Sequence, residues 1–240
     1  MAKYGSNDVA FFLVDGYDLT GLSTSLADTT SASLEETHAL GDSYPEQTAT
    51  GLQTAELTAE GFYDDATDGS NAALSGNETT SRVVCYGYQG NTIHKYMVGH
   101  TGAFGGTYTR AVSRGELHKA SASWTVTGQK DTGQIMHALG SESATGTSAA
   151  DGNASGSSAS GGAGYLQVTV KSGTSPTLDA KIRDSADNST YADLISFTQA
   201  TGVTAERVTV SGTVNQYTLA SWTHGGTSPV FTFMIAFARE

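Results

Sequence analysis

Between Gln53 and Phe62 the chain alternates with a period of two, Ala55, Leu57, Ala59 and Gly61 on one side and Thr54, Glu56, Thr58 and Glu60 on the other. Only a β-strand sends successive side chains to opposite faces, so the segment reads as a strand with one small apolar face and one face of hydroxyls and carboxylates. A polar, turn-rich stretch precedes it, with Gly41-Asp42, Pro45 and Gly51. No group on the polar face is a nucleophile with a base beside it. The segment therefore reads as a wall and a contact surface rather than an active site.

A length of 240 residues allows one large β domain or two modest ones. Charged residues make up only 15%, and Ser, Thr, Gly and Ala dominate, which favours strands over helices. The single cysteine, Cys85, sits in the apolar run Val83–Tyr86, so no disulfide framework is possible and a buried, inert thiol is expected. The apolar run Val9–Val14 is too short for a signal sequence or a membrane span, so the expectation is synthesis and folding in a reducing cytoplasm without membrane insertion.

The net charge of −12 is unevenly spread. Residues 1–80 hold one base and fourteen acids, and residues 81–130 hold six bases (Arg82, Lys95, Arg110, Arg114, Lys119 and Lys130) and one acid. Solvated faces explain such a pattern most simply. A sharper reading is self-complementarity, in which an acidic surface of one copy meets a basic surface of the next, as in rings and filaments. An acidic chain without a basic tract is poorly suited to tight nucleic-acid binding.

Composition breaks once, at 149–163 (AADGNASGSSASGGA). Gly, Ser and Ala make up nearly all of it, and this reads as a flexible linker between a body, 1–148, and a C-terminal module, 164–240. In the body, strands are expected at Val9–Val14, Leu22–Glu36, Gln53–Phe62, Arg82–Tyr88, Thr92–Val98, Tyr108–Ser113 and Glu116–Thr127. Asp68 or Ser70 is placed to cap a short helix through Leu74, ended at Gly76, and Gly99–Gly106 reads as a β-corner or bulge. Alternation in the module, from Leu166-x-Val168-x-Val170 to Phe231-x-Phe233-x-Ile235-x-Phe237, describes a small β-sandwich.

Chemistry-bearing patterns are absent from the sequence. The histidines (His38, His94, His100, His118, His137, His224) show no HxH or HExxH spacing, there is no CxxC, and GHTGAFGG lacks the strand-to-helix setting of a phosphate loop. Adjacent carboxylates such as Glu35/Glu36 and Asp64/Asp65 point to opposite faces of a strand. No catalytic residue, metal site or cofactor site is assigned, and an enzyme is not expected.

Three blocks of residues carry a resemblance. An early strand is followed by Gly16-Tyr17-Asp18-Leu19-Thr20. A Ser-rich strand then leads to the step from Thr37 to Gly41-Asp42. Gly51-Leu52 precedes an alternating strand ending Gly61-Phe62-Tyr63-Asp64. In this order and spacing the chain resembles the major tail (tail tube) proteins of long-tailed bacteriophages, over about residues 5–140. The resemblance implies a mainly β fold with a sandwich or barrel core and one short flanking helix. It also implies six-membered rings whose inner strands close into a barrel, rings stacked into a tube within the virion tail, contact with other tail proteins, and DNA passing through without tight binding. The inter-ring loop would hold Thr37, His38, Gly41, Asp42, Tyr44, Pro45 and Gly51. Lumen-facing residues would be Thr54, Glu56, Thr58 and Glu60, and Arg82, Lys95, Arg110, Arg114 and Lys119 would be the basic inter-subunit partners. The C-terminal module would be a small immunoglobulin-like β-sandwich that decorates the exterior and touches the host surface weakly. Two other readings share part of this pattern: a phage head decoration protein, and a glycan-binding module using Tyr86, Tyr88, Tyr96 and Tyr108.

Overall fold

The computed structural model describes residues 9–37, 39–40, 43–44, 46–76, 79–126, 130–152 and 156–240. It is mainly β, with one short helix. The strands are β1 (Phe11–Val14), β2 (Tyr17–Asp18), β3 (Ser23–Glu36), β4 (Gln47–Phe62), β5 (Arg82–Gly87), β6 (Tyr96–Ala111), β7 (Lys119–Val126), β8 (Lys130–Glu142), β9 (Gly146–Thr147), β10 (Asp151–Gly152), β11 (Gly162–Ser185), β12 (Ala192–Ser196), β13 (Thr204–Val210) and β14 (Tyr217–Arg239). The helix α1 is Ser70–Leu74.

Three packed layers share one continuous antiparallel sheet. Its middle runs β11-β14-β8-β6-β5-β1, and one face of these strands encloses Phe11, Leu13, Cys85, Met97, Ile135, Ala163, Tyr165, Met234 and Ala236. The sheet curls until the β1–β2 turn meets β11, where the Gln167 side chain joins the two. Its Oε1 accepts from the Gly16 amide at 2.7 Å and its Nε2 donates to the Val83 carbonyl at 3.0 Å. Gly16 has φ +86°, and a Cβ there would lie 2.6 Å from the Val168 carbonyl oxygen, so only glycine permits this closure. Cys85 is fully buried in this interior, as its sequence context predicts, and burial pushes its thiol up to about 12.

On the outer side of β1 and β5 lies a second sheet layer, β3-β4-β7, joined by the last part of β6, with α1 beside it. Phe12, Val14, Leu57, Val84, Tyr86 and Trp124 fill the gap, with the Phe12 and Trp124 rings edge-on at 6.3 Å. The expected helix is present but is not capped by Asp68 or Ser70. Gly69 occupies the N-cap position, and the Ser70 hydroxyl instead donates to the Phe62 carbonyl and accepts from the Asp64 amide, both at 2.9 Å. Gly99–Gly106, expected to be a corner or bulge, lies inside the continuous strand β6, whose register against β7 shifts between Phe104 and Thr107.

The third layer comes from β11 and β14 folding back on themselves. Each carries the sequence Gly-Thr-Ser-Pro, at 173–176 and 226–229. These are paired through Thr174 and Thr227, and Gly173, Ser175, Gly226 and Ser228 all have positive φ. The ladder breaks there, and the outer halves of both strands swing over the inner halves as a sandwich. Leu178, Ile182, Ile195 and Trp222 of the outer layer pack on Leu166, Val168, Phe233 and Phe237 of the inner one.

This architecture departs from the expected linker and tethered module. The 149–163 stretch contains β10, an isolated bridge from Ser158 to Val214 and the buried start of β11. β14 is paired with β8 along Gln134–Glu142, so the C-terminal strands are built into the same sheet as the body. The physical reason is that the small residues here serve close packing. A Cβ on Gly162 would lie 2.4 Å from the Ala238 carbonyl oxygen, and one on Gly164 would lie 2.7 Å from the Ile182 Cδ1. Residues 153–155 lie outside the described residues.

A candidate assembly surface

The layer β3-β4-β7-β6 presents the alternation read from the sequence. Ala55, Leu57 and Ala59 are buried, while Thr54, Glu56 and Glu60 are exposed and Thr58 is half-buried. The same parity governs β7, where Ala120, Ala122, Trp124 and Val126 are buried and Ser121, Ser123 and Thr125 face out. Register then lines up rows of small polar groups across the outer face: Thr29, Glu56 and Thr125; Ala27, Thr58, Ser123 and Thr107; Ser25, Glu60, Ser121 and Thr109. Hydroxyl pairs at 2.9 Å join Ser31 to Thr54 and Thr107 to Ser123. Between Ser25 and Thr125 along these rows, Glu56 and Glu60 are the charges. The face is polar and weakly anionic, with a depression of about 240 Å³ among Thr29, Ser31, Thr54, Glu56 and Thr125.

Both sides of this layer end in strands with a single ladder. β3 pairs only with β4, and β6 beyond Phe104 pairs only with β7, among the described residues. Such rows of open backbone groups are templates for another chain.

β3 and β4 also extend past the body as an arm. From Thr29 to Thr37 the side chains are exposed on both faces. The region expected as a loop, Thr37–Gly51, is therefore a loop only between Thr37 and Glu46; from Gln47 to Gly51 it is strand, with Gln47 opposite Glu36. Gly51, at φ +82°, sits where the ladder slips between Ala32 and Leu34, a bulge that needs the left-handed conformation. Leu34, Leu40 and Tyr44 are exposed on the arm beside the acids Glu35 and Glu46. His38, Gly41, Asp42 and Pro45 lie outside the described residues.

The expected basic partners divide. Arg82 is not available: its guanidinium is 2.9 Å from the Asp15 carboxylate and 2.8 Å from the Ser75 carbonyl, and it is largely buried. Pairing across 67 residues of sequence left no local signal. Lys95, Arg110, Arg114 and Lys119 are exposed. Three of them cluster at the β6–β7 turn, at the end of the layer opposite the arm, because Lys119 pairs with Phe62 at the far end of β4. Sixteen residues of β4 separate the ends, which is about 50 Å at ~3.3 Å per residue. There Tyr63, Arg110, Ala111, Val112, His118 and Lys119 line a depression of about 290 Å³, with Val112 and Leu117 exposed beside it. The arm is acidic and apolar, and the opposite end is basic and apolar.

No group of three or more His, Cys, Asp or Glu side chains that could hold a metal ion occurs among the described residues. Tyr86, Tyr88, Tyr96 and Tyr108 do not form a common platform: Tyr86 is buried against Phe12 and Trp124, and the ring of Tyr108 lies under Arg110 at 5.5 Å. No helix is long and apolar enough to cross a membrane, among the described residues.

No protein-family model matches the sequence, and no curated protein does. Among solved structures, the chain is similar to a chain in the tail of an empty gene transfer agent (GTA) particle with C6 symmetry, at 15% identity and a TM-score of 0.39, covering 54% of this chain and 97% of that one. A chain of the native GTA virion is similar at 16% identity and a TM-score of 0.39, covering 55% and 98%. The SPP1 Dit protein, described as a hub of the adsorption apparatus in phages infecting Gram-positive hosts, is similar at 11% identity and a TM-score of 0.36, covering 93% and 97%. At these identities and TM-scores the likenesses establish no shared function.

Proposed function

We propose that this chain is a structural subunit of a bacteriophage tail, self-assembling into rings that stack as a tail tube through which DNA passes. The observation that carries the reading is the layer β3-β4-β7-β6, with one hydroxyl-and-carboxylate face and an open edge on each side. An open edge on either side lets β3 of one copy pair with β6 of the next, and a twisted sheet continued in that way closes into a barrel. The polar face then lines the lumen, where Glu56 and Glu60 repel phosphates and leave DNA free to slide. Six copies per ring follow by analogy with the family that the sequence resembles. The arm of one ring reaches the basic end of the next, and the curled core with its C-terminal layer forms the outside. In this reading the chain has no catalytic role, and its place is the virion tail.

Negative-stain electron microscopy of the purified protein over a range of concentrations tests the reading. Rings or tubes are expected, and a chain that stays monomeric at every concentration and salt would overturn it. The double variant E56K/E60K is expected to fold and assemble, because both side chains project from the exposed face. In a phage carrying it, DNA ejection should slow markedly. Unchanged ejection would remove these residues from the lumen.

A further inference from the structure

One buried polar cluster lies where the arm joins the body, and assembly does not explain it. Asp28 of β3 points inward, and its Oδ2 accepts from the Tyr86 hydroxyl of β5 and from the Lys130 ammonium at the start of β8. Lys130 also donates to Thr30 of β3 at 3.1 Å. From Thr29 towards the tip both faces of β3 are exposed, and Asp28 and Thr30 tie the root of the arm to the body through Lys130. Against this group lies His100 of β6, 0% exposed, with its ring stacked on Tyr86 at 6.1 Å. Among the described residues, neither ring nitrogen of His100 has a hydrogen-bond partner, and neither does Asp28 Oδ1. His100 Nε2 stands 3.9 Å from Asp28 Oδ2, outside hydrogen-bond range.

A buried imidazole without partners is costly, and so many orphan atoms in one cluster call for a reason. The charges facing His100 are Asp28 on β3 and Lys130 and Asp131 on β8. Asp131 is already held by the Tyr165 hydroxyl at 2.5 Å and the Arg207 guanidinium at 2.7 Å. A proton on His100 would therefore set a second cation beside Lys130, competing for the one carboxylate of Asp28 in a largely buried group.

We propose that His100, Asp28, Lys130 and Tyr86 form a proton-sensitive latch at the root of the β3–β4 arm: neutral His100 keeps the arm seated, and protonation releases it. Burial holds the His100 imidazole below its ordinary 6.5; the Asp28 and Asp131 carboxylates pull it up and the Lys130 ammonium pushes it down, without reversing the effect of burial. Burial pushes the Asp28 carboxyl up, but hydrogen bonds from Lys130 and Tyr86 outweigh it and hold the group below its ordinary 3.8. Both shifts have the same sign of consequence. The open arm binds protons more readily than the seated one, so the seated state is fully favoured above pH ~6.5 and loses ground as pH falls below it. The latch acts within one chain and does not depend on assembly into rings.

Hydrogen exchange on the full-length chain, corrected for intrinsic rates, tests it. Between about pH 7.5 and pH 5.5, protection of the amides of 29–36 and 47–53 should fall, by up to about tenfold, the ceiling set by one imidazole that regains its ordinary value when the arm opens. The amides of β11 and β14 should not change. In H100F the arm should lose this pH dependence. An arm whose protection is constant or rises on acidification overturns the proposal, and so does an unchanged pH response in H100F. Should H100F not fold, NMR of the unaltered chain decides: arm resonances of Ala32 and Leu34 that shift with the His100 imidazole support the latch, and arm resonances unmoved while His100 titrates overturn it.

Discussion

A chain ended at residue 148 should fail to fold. Without β11 and β14, the curled core loses Ala163, Tyr165, Met234 and Ala236, and Phe11, Leu13, Cys85, Met97 and Ile135 face water. Re-exposing a large buried apolar side chain costs about 1.5–3 kcal/mol, so these residues together forfeit on the order of 10 kcal/mol. That is comparable to the whole stability of an ordinary domain. β8 would also become an open edge, and the β1–β2 turn would lose its anchor at Gln167. The expected result is an insoluble or molten product with no cooperative thermal transition by circular dichroism. A truncated chain that melts cooperatively within a few degrees of the full chain would show instead that 1–148 is a self-sufficient unit.

This expectation reverses what composition suggests, and the reason is physical. Gly, Ser and Ala are abundant both where a chain must be free and where two backbones must touch, and a single sequence does not separate these cases. Gly162, Ala163 and Gly164 are small because the Phe237 ring, the Ala238 carbonyl and the Ile182 side chain leave no space for more. Alternation was far more legible. Thr54–Glu60 and Lys119–Val126 have one buried face each, and a one-residue slip would turn every apolar group outwards, so sequence and structure agree residue by residue. The ends of strands were less legible. The arm beyond Thr29 has no buried face, so nothing in its pattern distinguishes Gln47–Gly51 from a loop. Contacts made across long separations were invisible. Arg82 looked like a surface base until Asp15 was seen beside it, and His100 like an ordinary histidine until the fold placed Asp28 and Lys130 against it.

Shortening the arm should separate two steps of assembly. Ser31 and Thr54 are directly opposite, so replacing 32–53 with Asn-Gly closes the hairpin with a two-residue turn. The residues of this segment whose burial is described, among them Leu34, Glu35, Leu40, Tyr44 and Glu46, are exposed, so the variant should melt within a few degrees of the parent. The edges proposed to close a ring, β3 up to Ser31 and β6 from Thr107 to Ala111, remain intact. What is lost is the acidic, apolar tip that in the proposed tube meets the basic end of the next ring. Electron microscopy should therefore show single rings where the parent gives tubes. The triple reversal R110E/R114E/K119E should reproduce that result from the opposite end. Because exposed charges are screened over about 8 Å at physiological ionic strength, stacking of the parent should weaken with added salt. Full-length tubes from the shortened variant would show that stacking rests on another surface, while leaving the lateral closure of the ring untouched.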